Sequence, residues 1–244
     1  MITIVAHAAM PDGSPDDRLL AQALSARGVE TRLCVWNDPD VDWAKSPLTV
    51  VRSTWDYHRH PKAWFDWLDR VAGMTRLINP AGVLRWNSRK SYLLALAEMG
   101  ASAHGARRFA VPAIHEADAH AAALLEQGGL LVQPYQASVE TERERSIVLI
   151  DGVFSHAFVK PAFMTGLGDA DELERIEIDA AQLAFARYAF AQAPGDPVYA
   201  RVDILPTPDG LRLMELEMIE PQLAFQLCPP ALDSFVEAIM SRLS

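Results

Sequence analysis

Four charged residues alternate with apolar ones near the C-terminal end of the chain. Arg201 and Asp203 lie in the run YARVDIL, and Glu215 and Glu217 lie in the run LRLMELE. Successive side chains of a strand point to opposite faces, so each pair shares a face. If the two strands are joined by the five-residue turn PTPDG, odd-numbered residues pair with odd ones, and the four charges converge. In that register Leu213 lies on the same face.

Three carboxylates this close repel one another, and they stay ionised only beside a compensating cation. Oxygen ligands without histidine or cysteine favour Mg²⁺ or Mn²⁺ over zinc, and Mg²⁺ commonly completes its shell with water and substrate phosphates. A guanidinium beside such a metal can hold a phosphate or carboxylate oxygen. The alternative is an arginine–carboxylate network on the solvated face of a one-sided sheet.

The stretch VQPYQASVETERERSIVLIDGVFSHAFVKP adds weaker candidates for nucleotide contacts. Gln133 and Tyr135 lie where a strand enters a loop, and backbone and ring there can hold a purine. Glu144 can accept hydrogen bonds from ribose hydroxyls. Lys160 ends a strand, where its flexible ammonium suits a phosphate, although a solvated lysine is the ordinary alternative.

Bulk composition limits the classes of function. The chain has 244 residues, half of them apolar, with a net charge of −10 and two cysteines without CxxC spacing. Such an acidic chain is unsuited to nucleic acid. The cysteines, Cys34 and Cys228, are typical of buried thiols in a reducing compartment. No signal peptide or membrane-spanning run is recognisable, so we expect a cytoplasmic protein without a membrane partner.

The order of elements predicts an α/β part followed by an α+β part. Strands and helices alternate up to about residue 82, which indicates a parallel sheet covered on both faces. In this part we expect Asp17 to cap a helix that Gly28 ends. The later segment is richer in strands, with a hairpin at Asp151-Gly152. We therefore predict domains over 1–82 and 83–244.

Four motifs together resemble the ATP-grasp superfamily, in the bacterial branch that includes the cycloserine-biosynthesis ligase. They are RSTWDYH, LINPAGVLRWNSRKSYL, the ERSIVLIDG–FSHAFVKP hairpin and the ARVD–ELEMIEP hairpin, which together cover most of residues 48–225. The resemblance implies an ATP-grasp fold with an N-terminal Rossmann-like (pre-ATP-grasp) domain. It also implies a lid subdomain at about 101–136 and a catalytic core at about 137–244.

The resemblance implies roles for individual residues, with ATP and Mg²⁺ (or Mn²⁺) as cofactors. Arg201 and Lys160 match residues that stabilise the transferred phosphate. The positions that match metal ligands are Asp203, Glu215 and Glu217. The positions that match nucleotide contacts are Lys90, Gln133, Pro134, Tyr135, Gln136, Glu144 and Lys160.

A loop after the third strand is the candidate substrate contact. Arg52, Trp55, Asp56 and Tyr57 follow that strand, and loops at the carboxyl ends of parallel strands bind ligands. For Trp55 and Tyr57, ordinary packing is the alternative. Of the nearby histidines, we expect those at 58 and 60 to be exposed at a helix entry, and His156 to be packed or hydrogen-bonded.

One departure from the family pattern falls at Gly100-Ala101. A strand that normally ends in VVKP, with a lysine that grips the phosphates, is missing, so the lid subdomain is expected to be shortened. Gly105, Arg107 and Arg108 could then compensate through backbone N–H groups that cradle phosphate.

The implied activity is an ATP-dependent ligase with an acyl-phosphate intermediate. Its partners would be a small carboxylate substrate and an amine nucleophile, or one molecule that cyclises, and a homodimer is compatible with the fold. Two alternatives stay open: a nucleotide-binding module weakened by the missing lysine, and an ATP-dependent small-molecule kinase.

Overall fold

A computed structural model describes residues 1–89, 92, 114–126, 135–160 and 173–243. Lys90, Gln133 and Pro134 lie outside these residues, as does most of the lid subdomain with its predicted shortening at Gly100-Ala101. In the part of the chain that is described, no helix is both long and apolar enough to cross a bilayer.

The first part of the chain forms a parallel sheet between helices, as the alternation of elements predicts. The strands run in the order β2-β1-β3-β4. The elements are β1 (Ile2–Ala6), α1 (Pro15–Ala26), β2 (Thr31–Val35), β3 (Leu48–Ser53), α2 (Pro61–Val71), β4 (Arg76–Ile78) and α3 (Ala81–Asn87), with short 3₁₀ turns at Trp43–Lys45 and Tyr57–Arg59.

Helix α1 begins one turn earlier than the acidic residue predicted to cap it. Ser14 is the N-cap, and its hydroxyl accepts a hydrogen bond from the backbone N–H of Asp17. Asp17 in turn accepts from the Ser14 N–H at 2.8 Å, which completes a capping box. The prediction that Asp17 caps the helix is therefore wrong, because it occupies the third helical position. Gly28, at φ +77°, ends the helix as expected.

The second part forms an antiparallel sheet in the order β7-β6-β5-β8-β9. Its elements are α4 (Ile114–Glu126), β5 (Arg145–Ile150), β6 (Val153–Val159), β7 (Glu174–Ile176), α5 (Ala180–Phe190), β8 (Tyr199–Thr207), β9 (Gly210–Glu217) and α6 (Pro229–Met240), with 3₁₀ turns at Ala137–Glu140 and Phe225–Leu227. Asp151 and Gly152, at φ 50° and 72°, make the predicted hairpin between β5 and β6.

The turn between β8 and β9 is tighter than the sequence predicts. Thr207 pairs with Gly210, so the turn holds only Pro208 and Asp209. Leu205 consequently pairs with Arg212. If this register continued along both strands, odd-numbered residues would pair with even-numbered ones and the four charged side chains would not share a face. The predicted five-residue turn is therefore wrong.

A β-bulge restores the predicted pairing of the charged residues. Ile204 pairs with Leu213, but the adjacent Asp203 pairs with Glu215, so one residue of β9 is extra. Beyond the bulge, Arg201 pairs with Glu217. Leu213 turns into the apolar core on the other face, so its predicted place beside the carboxylates is wrong.

The two sheets share one hydrophobic core. Side chains of β1, β3 and α1 pack in a single cluster with side chains of β5, β8 and α6. Within it Phe235 stacks on Phe225 and meets Tyr199 edge to face. A second cluster fills the space between the five-stranded sheet and α5, and a third, rich in tryptophan, lies under α2. The division at residue 82 stays a prediction.

Two buried asparagines fasten the strands that carry the charges. The Asn79 amide donates to the carbonyls of Tyr199 and Met218, each at 2.8 Å, and its oxygen accepts from the Val198 N–H at 2.5 Å. The Asn87 side chain likewise accepts from Met218 N–H and donates to the Leu216 carbonyl. Side chains from the first part thus replace a backbone strand partner along this edge.

We expect Asn79→Ala to destabilise the protein by at least about 3 kcal/mol. The substitution leaves several buried backbone groups without partners, and each costs about 1–3 kcal/mol. Urea unfolding followed by tryptophan fluorescence measures the effect. Asn37→Ala, at an exposed position, is the matched control, and equal stabilities of the two variants would contradict the fastening role.

Candidate active site

The charged face of the five-stranded sheet is built by four strands. β8 and β9 bring Arg201, Asp203, Glu215 and Glu217 together through the bulge. Arg201 is 4% exposed and Asp203 is fully buried, so this is no solvated sheet face. A buried set of this kind needs its charges balanced within the cluster.

Arg201 is the central cation of the cluster. Its Nε donates to both oxygens of Asp203, at 2.9 and 3.1 Å, and its Nη2 reaches Asp203 Oδ2 at 2.9 Å. The same Nη2 lies 2.8 Å from Glu217 Oε2. Nη1 donates to the Gln222 carbonyl at 3.3 Å. The guanidinium is therefore fixed on three sides.

Lys160 supplies the second cation. It follows β6, and Glu144 precedes β5 where Arg145 pairs with Val159, so the two side chains meet at one end of the sheet. Lys160 Nζ donates to Glu144 Oε1 at 3.1 Å and to Asp203 Oδ2 at 2.8 Å. Lys160 thus links the predicted ribose acceptor to the acidic hairpin.

The carboxylates differ in their readiness to ionise. Burial opposes the ionisation of Asp203, but the charges of Arg201 and Lys160 prevail and lower its pKa to about 2. Burial raises the pKa of Glu217 to about 7, with the Glu215 carboxylate adding to the rise against the opposing charge of Arg201. Burial and the Asp203 charge also raise the pKa of Glu144.

The three predicted metal positions converge. One carboxylate oxygen from each of Asp203, Glu215 and Glu217 can be chosen so that all three lie within 4.8 Å of one another. Hard oxygen donors at this spacing fit Mg²⁺ or Mn²⁺.

The candidate substrate loop is largely interior. Asp56 accepts a hydrogen bond from Trp36 Nε1 at 2.7 Å, and Tyr57 packs against Trp64 with ring centroids 5.0 Å apart. Trp55 is 38% exposed, and its Nε1 donates to the Glu220 carbonyl at 3.0 Å. Trp55 is thus the member of this loop placed where a ligand can reach it.

Arg52 lies beneath that loop, 2% exposed. Its Nε contacts Asp17 Oδ1 at 3.3 Å and its Nη2 donates to the Pro221 carbonyl at 2.9 Å. The guanidinium also lies over the Tyr199 ring, 5.4 Å from its centroid. These contacts tie the first part of the chain to the residues after the acidic hairpin, and the substrate role of Arg52 stays a prediction.

Residues 220–225, here called the 220–225 segment, are held by side chains from several elements. Carbonyls of the segment accept from Trp55, Arg52, Arg201 and His156. Asp16 accepts from three successive backbone N–H groups of the segment, those of residues 223, 224 and 225, at 2.8, 2.9 and 3.1 Å. The segment following Glu217 is therefore positioned from the first part of the chain.

Sequence reasoning missed Asp16. An acidic residue in the first turn of a helix is ordinarily explained by the helix dipole, so the position of Asp16 in the sequence did not indicate any further role. The side chain instead reaches away from α1 to the 220–225 segment. A buried carboxylate that caps a distant loop is recognisable only in three dimensions.

The predicted nucleotide contacts are partly described. The Tyr135 hydroxyl donates to Glu140 at 2.6 Å, and Gln136 is the N-cap of the 3₁₀ turn at Ala137–Glu140. Among the histidines, His58 and His60 are exposed and His156 is buried, as expected.

We expect His156 to make the stability depend on pH. Its Nε2 donates to the Leu223 carbonyl at 2.8 Å, so the ring is neutral when Nδ1, 3.0 Å from Ser155 Oγ, accepts. Burial lowers the pKa of His156, with Arg175 adding to the effect and the Leu223 carbonyl and Asp16 opposing it.

In the unfolded chain His156 takes up a proton near pH 6.5, whereas in the folded chain its lowered pKa keeps the ring neutral at that pH. We therefore expect the free energy of unfolding to fall as the pH falls below about 6.5. Urea unfolding at several pH values measures the slope. His156→Gln should flatten it between about pH 7 and 5, whereas His60→Gln should leave it unchanged. An unaltered slope in the His156 variant would contradict this assignment.

Both the first part of the chain and the chain as a whole are similar to known proteins. Residues 2–79 match the family described as D-cycloserine synthetase DcsG, N-terminal domain. The cycloserine biosynthesis protein DcsG of Streptomyces lavendulae is 28% identical over 278 aligned residues, covering 92% of this chain and 92% of that protein.

Solved structures extend the likeness to the whole fold. The crystal structure of D-cycloserine synthetase DcsG has a TM-score of 0.89 at 26% identity, covering 100% of this chain and 99% of that one. The ATP-grasp ligase PsnB, complexed with a precursor peptide and AMPPNP, has a TM-score of 0.56 at 15% identity over 98% of both chains. The chain therefore has the ATP-grasp fold, and along nearly its whole length it resembles D-cycloserine synthetase DcsG.

Proposed function

We propose that this protein is an ATP-dependent ligase that joins a carboxylate to an amine of a small, amino-acid-like substrate through an acyl phosphate. The observation that carries the proposal is the convergence of Arg201 and Lys160 with three carboxylates on one buried sheet face. The arrangement suits phosphoryl transfer, where catalysis is mainly positioning and charge stabilisation.

The reaction would proceed in two steps. A substrate carboxylate oxygen attacks the γ-phosphorus of ATP, the bond to ADP breaks, and an acyl phosphate forms. The amine nitrogen then attacks the acyl carbon, inorganic phosphate leaves, and the nitrogen loses a proton. Arg201 and Lys160 would neutralise the negative charge that develops on phosphate oxygens, and Asp203 holds both cations in place.

Asp203, Glu215 and Glu217 would hold Mg²⁺ or Mn²⁺. When bound, the ion supplies charge neutralisation for the phosphate oxygens. The hard oxygen donor set supports this choice. Solved ATP-grasp relatives that carry AMPPNP, or Mg and ADP, point the same way.

Glu144 would accept the ribose hydroxyls, and Lys160 would reach the phosphates. Lys90, Gln133, Pro134, Tyr135 and Gln136 would complete the nucleotide site, as the resemblance implies. Trp55 would contact the substrate, supported by its exposure beside the 220–225 segment.

An ADP-release assay tests the proposal. The full chain is incubated with Mg²⁺-ATP and a panel of small amino acids, and ADP and phosphate are measured with and without hydroxylamine. We expect amino-acid-dependent ADP release and a hydroxamate, the product of an acyl phosphate. A stable phosphorylated product instead would indicate a kinase, and ATP binding without ADP release would indicate a binding module.

The binding module is the second candidate, favoured by one observation. The alignment with DcsG spans 278 residues, more than the 244 of this chain, so that relative has positions that this chain lacks. If these include the phosphate-gripping lysine, ATP would be held less tightly. Affinity for Mg²⁺-ATP, measured by calorimetry beside turnover, separates the two candidates.

A further inference from the structure

The four-stranded sheet has a topological switch point at the centre of its carboxyl edge. From β1 the chain crosses to β2 on one side, and from β3 it crosses to β4 on the other. In open α/β sheets, ligands bind in the crevice outside the strand ends at such a point. Here the crevice lies between the ends of β1 and β3.

A β-bulge shapes this crevice. Val5 pairs with Val51 but Ala6 pairs with Ser53, so Arg52 is the extra residue. Arg52 and Ser53 both bond to the Asp17 carboxylate, which places them on the side of α1. The next residues along the two strands, His7 and Thr54, are then neighbours at the strand ends.

Both of these residues carry a buried polar atom that has no hydrogen-bond partner among the described residues. The atoms are His7 Nε2 and Thr54 Oγ1, and Thr54 as a whole is fully buried. An unpaired buried polar group is costly, and native structures keep few of them. Two at adjacent strand ends, in the crevice where this fold binds ligands, indicate a site for a ligand group.

Trp55 packs against His7 and also bonds to the 220–225 segment, which contacts Arg201. Its ring centroid lies 5.8 Å from that of His7, and its Nε1 bonds to the Glu220 carbonyl. Two residues further along the 220–225 segment, the Gln222 carbonyl accepts from Arg201. Two extended residues span at most roughly 7 Å, so Trp55 and Arg201 bond to nearby positions of one segment.

We propose that His7, Thr54 and Trp55 bind the primary ammonium group of an amino-acid-like substrate. An ammonium offers three donors, and the hydroxyl oxygen of Thr54 and a neutral His7 Nε2 can both accept. The indole face of Trp55 adds cation–π attraction. The inference rests on the proposed ligase function, because it presumes a substrate that extends to Arg201.

Calorimetry on the full chain tests this subsite. The probes are alanine and serine, each in both enantiomers, and the matching 2-hydroxy acids lactate and glycerate, which lack the amine. We expect the amino acids to bind at least about tenfold more tightly than the hydroxy acids. Equal affinities of the two series, or no binding of any amino acid by a protein that binds Mg²⁺-ATP, would overturn the proposal.

Two substitutions, one just after β3 and one within it, distinguish a ligand-binding role of Thr54 from a structural role. Thr54→Val should weaken amino-acid binding about tenfold, leave Mg²⁺-ATP affinity unchanged, and not lower the Tm, since an unpaired hydroxyl is removed. Thr49→Val is the matched control: Thr49 is equally buried but bonds to Thr75 at 3.1 Å. It should lower the Tm and leave both affinities unchanged.

Thr54→Ser keeps the hydroxyl and should keep the amino-acid affinity. A Thr54→Val protein with lowered Tm and unaltered amino-acid affinity would mean that the hydroxyl serves a bound water, which refutes the subsite. Failure of the ligase proposal looks different: amino acids bind, and Thr54→Val weakens them, but no ADP is released.

Discussion

Asp203→Asn is expected to lower turnover by roughly a thousandfold, the scale seen when one preorganised charge-stabilising group is lost. Asp203 bonds to both Arg201 and Lys160, and it is one of the three converging carboxylates. The substitution removes a proposed metal ligand and also releases both cations. Steady-state ADP release at saturating Mg²⁺-ATP measures the loss.

The same variant should lose about 3–5 kcal/mol of stability, because breaking a buried ion pair leaves its partners uncompensated. Glu215→Gln should lower turnover with a smaller loss of stability, since Glu215 is less buried than Asp203. Asp209→Asn, in the exposed turn of the same hairpin, is the control for both readouts. Near-normal ADP release by the Asp203 variant would refute the proposed site.

Asp16→Ala should destabilise the protein by at least about 3 kcal/mol, since the backbone N–H groups of three buried residues, 223 to 225, lose their acceptor. Their bonds to Asp16 are 2.8 to 3.1 Å long, and Asp16 is 3% exposed. Turnover should also fall, because the segment carries the Gln222 carbonyl that contacts Arg201.

Urea unfolding of Asp16→Ala and Asp16→Asn measures the effect on stability. The asparagine variant should lie between the wild type and the alanine variant, because its amide oxygen can still accept while its NH₂ group cannot. Asp12→Ala, in the exposed loop before α1, should be close to the wild type. If Asp16→Ala unfolds at the same urea concentration as the wild type, the 220–225 segment is held in place without the Asp16 carboxylate, which would contradict this prediction.

Alternation of charged and apolar residues was sufficient to predict the face shared by the acidic hairpin. The same alternation could not predict the turn length or the bulge. Each of them shifts the pairing by one residue, and the two shifts cancel for Asp203 and Glu215. Leu213, between the turn and the bulge, is where the error becomes visible. Period-two patterns fix which residues share a face only within an uninterrupted ladder.

Long-range capping was the second thing that local reasoning could not supply. Asp17 was expected to begin α1 and instead completes a capping box while bonding to Arg52 and Ser53. Asn79 and Asn87 appear in a motif that indicated the family but gave no sign of strand-mimicking amides. The contacts of the two asparagines join residues more than 100 positions apart, and no local pattern encodes them.

The core shared by the two sheets has a consequence for cooperativity. Apolar side chains of β1, β3 and α1 are buried by β5, β8 and α6, and Asp16 and Asn79 find their partners beyond residue 197. A fragment that ends at residue 82 would therefore expose an apolar face. Its Asp16 and Asn79 side chains would also lose their hydrogen-bond partners. The two sheets should melt in one calorimetric transition, as a single folding unit.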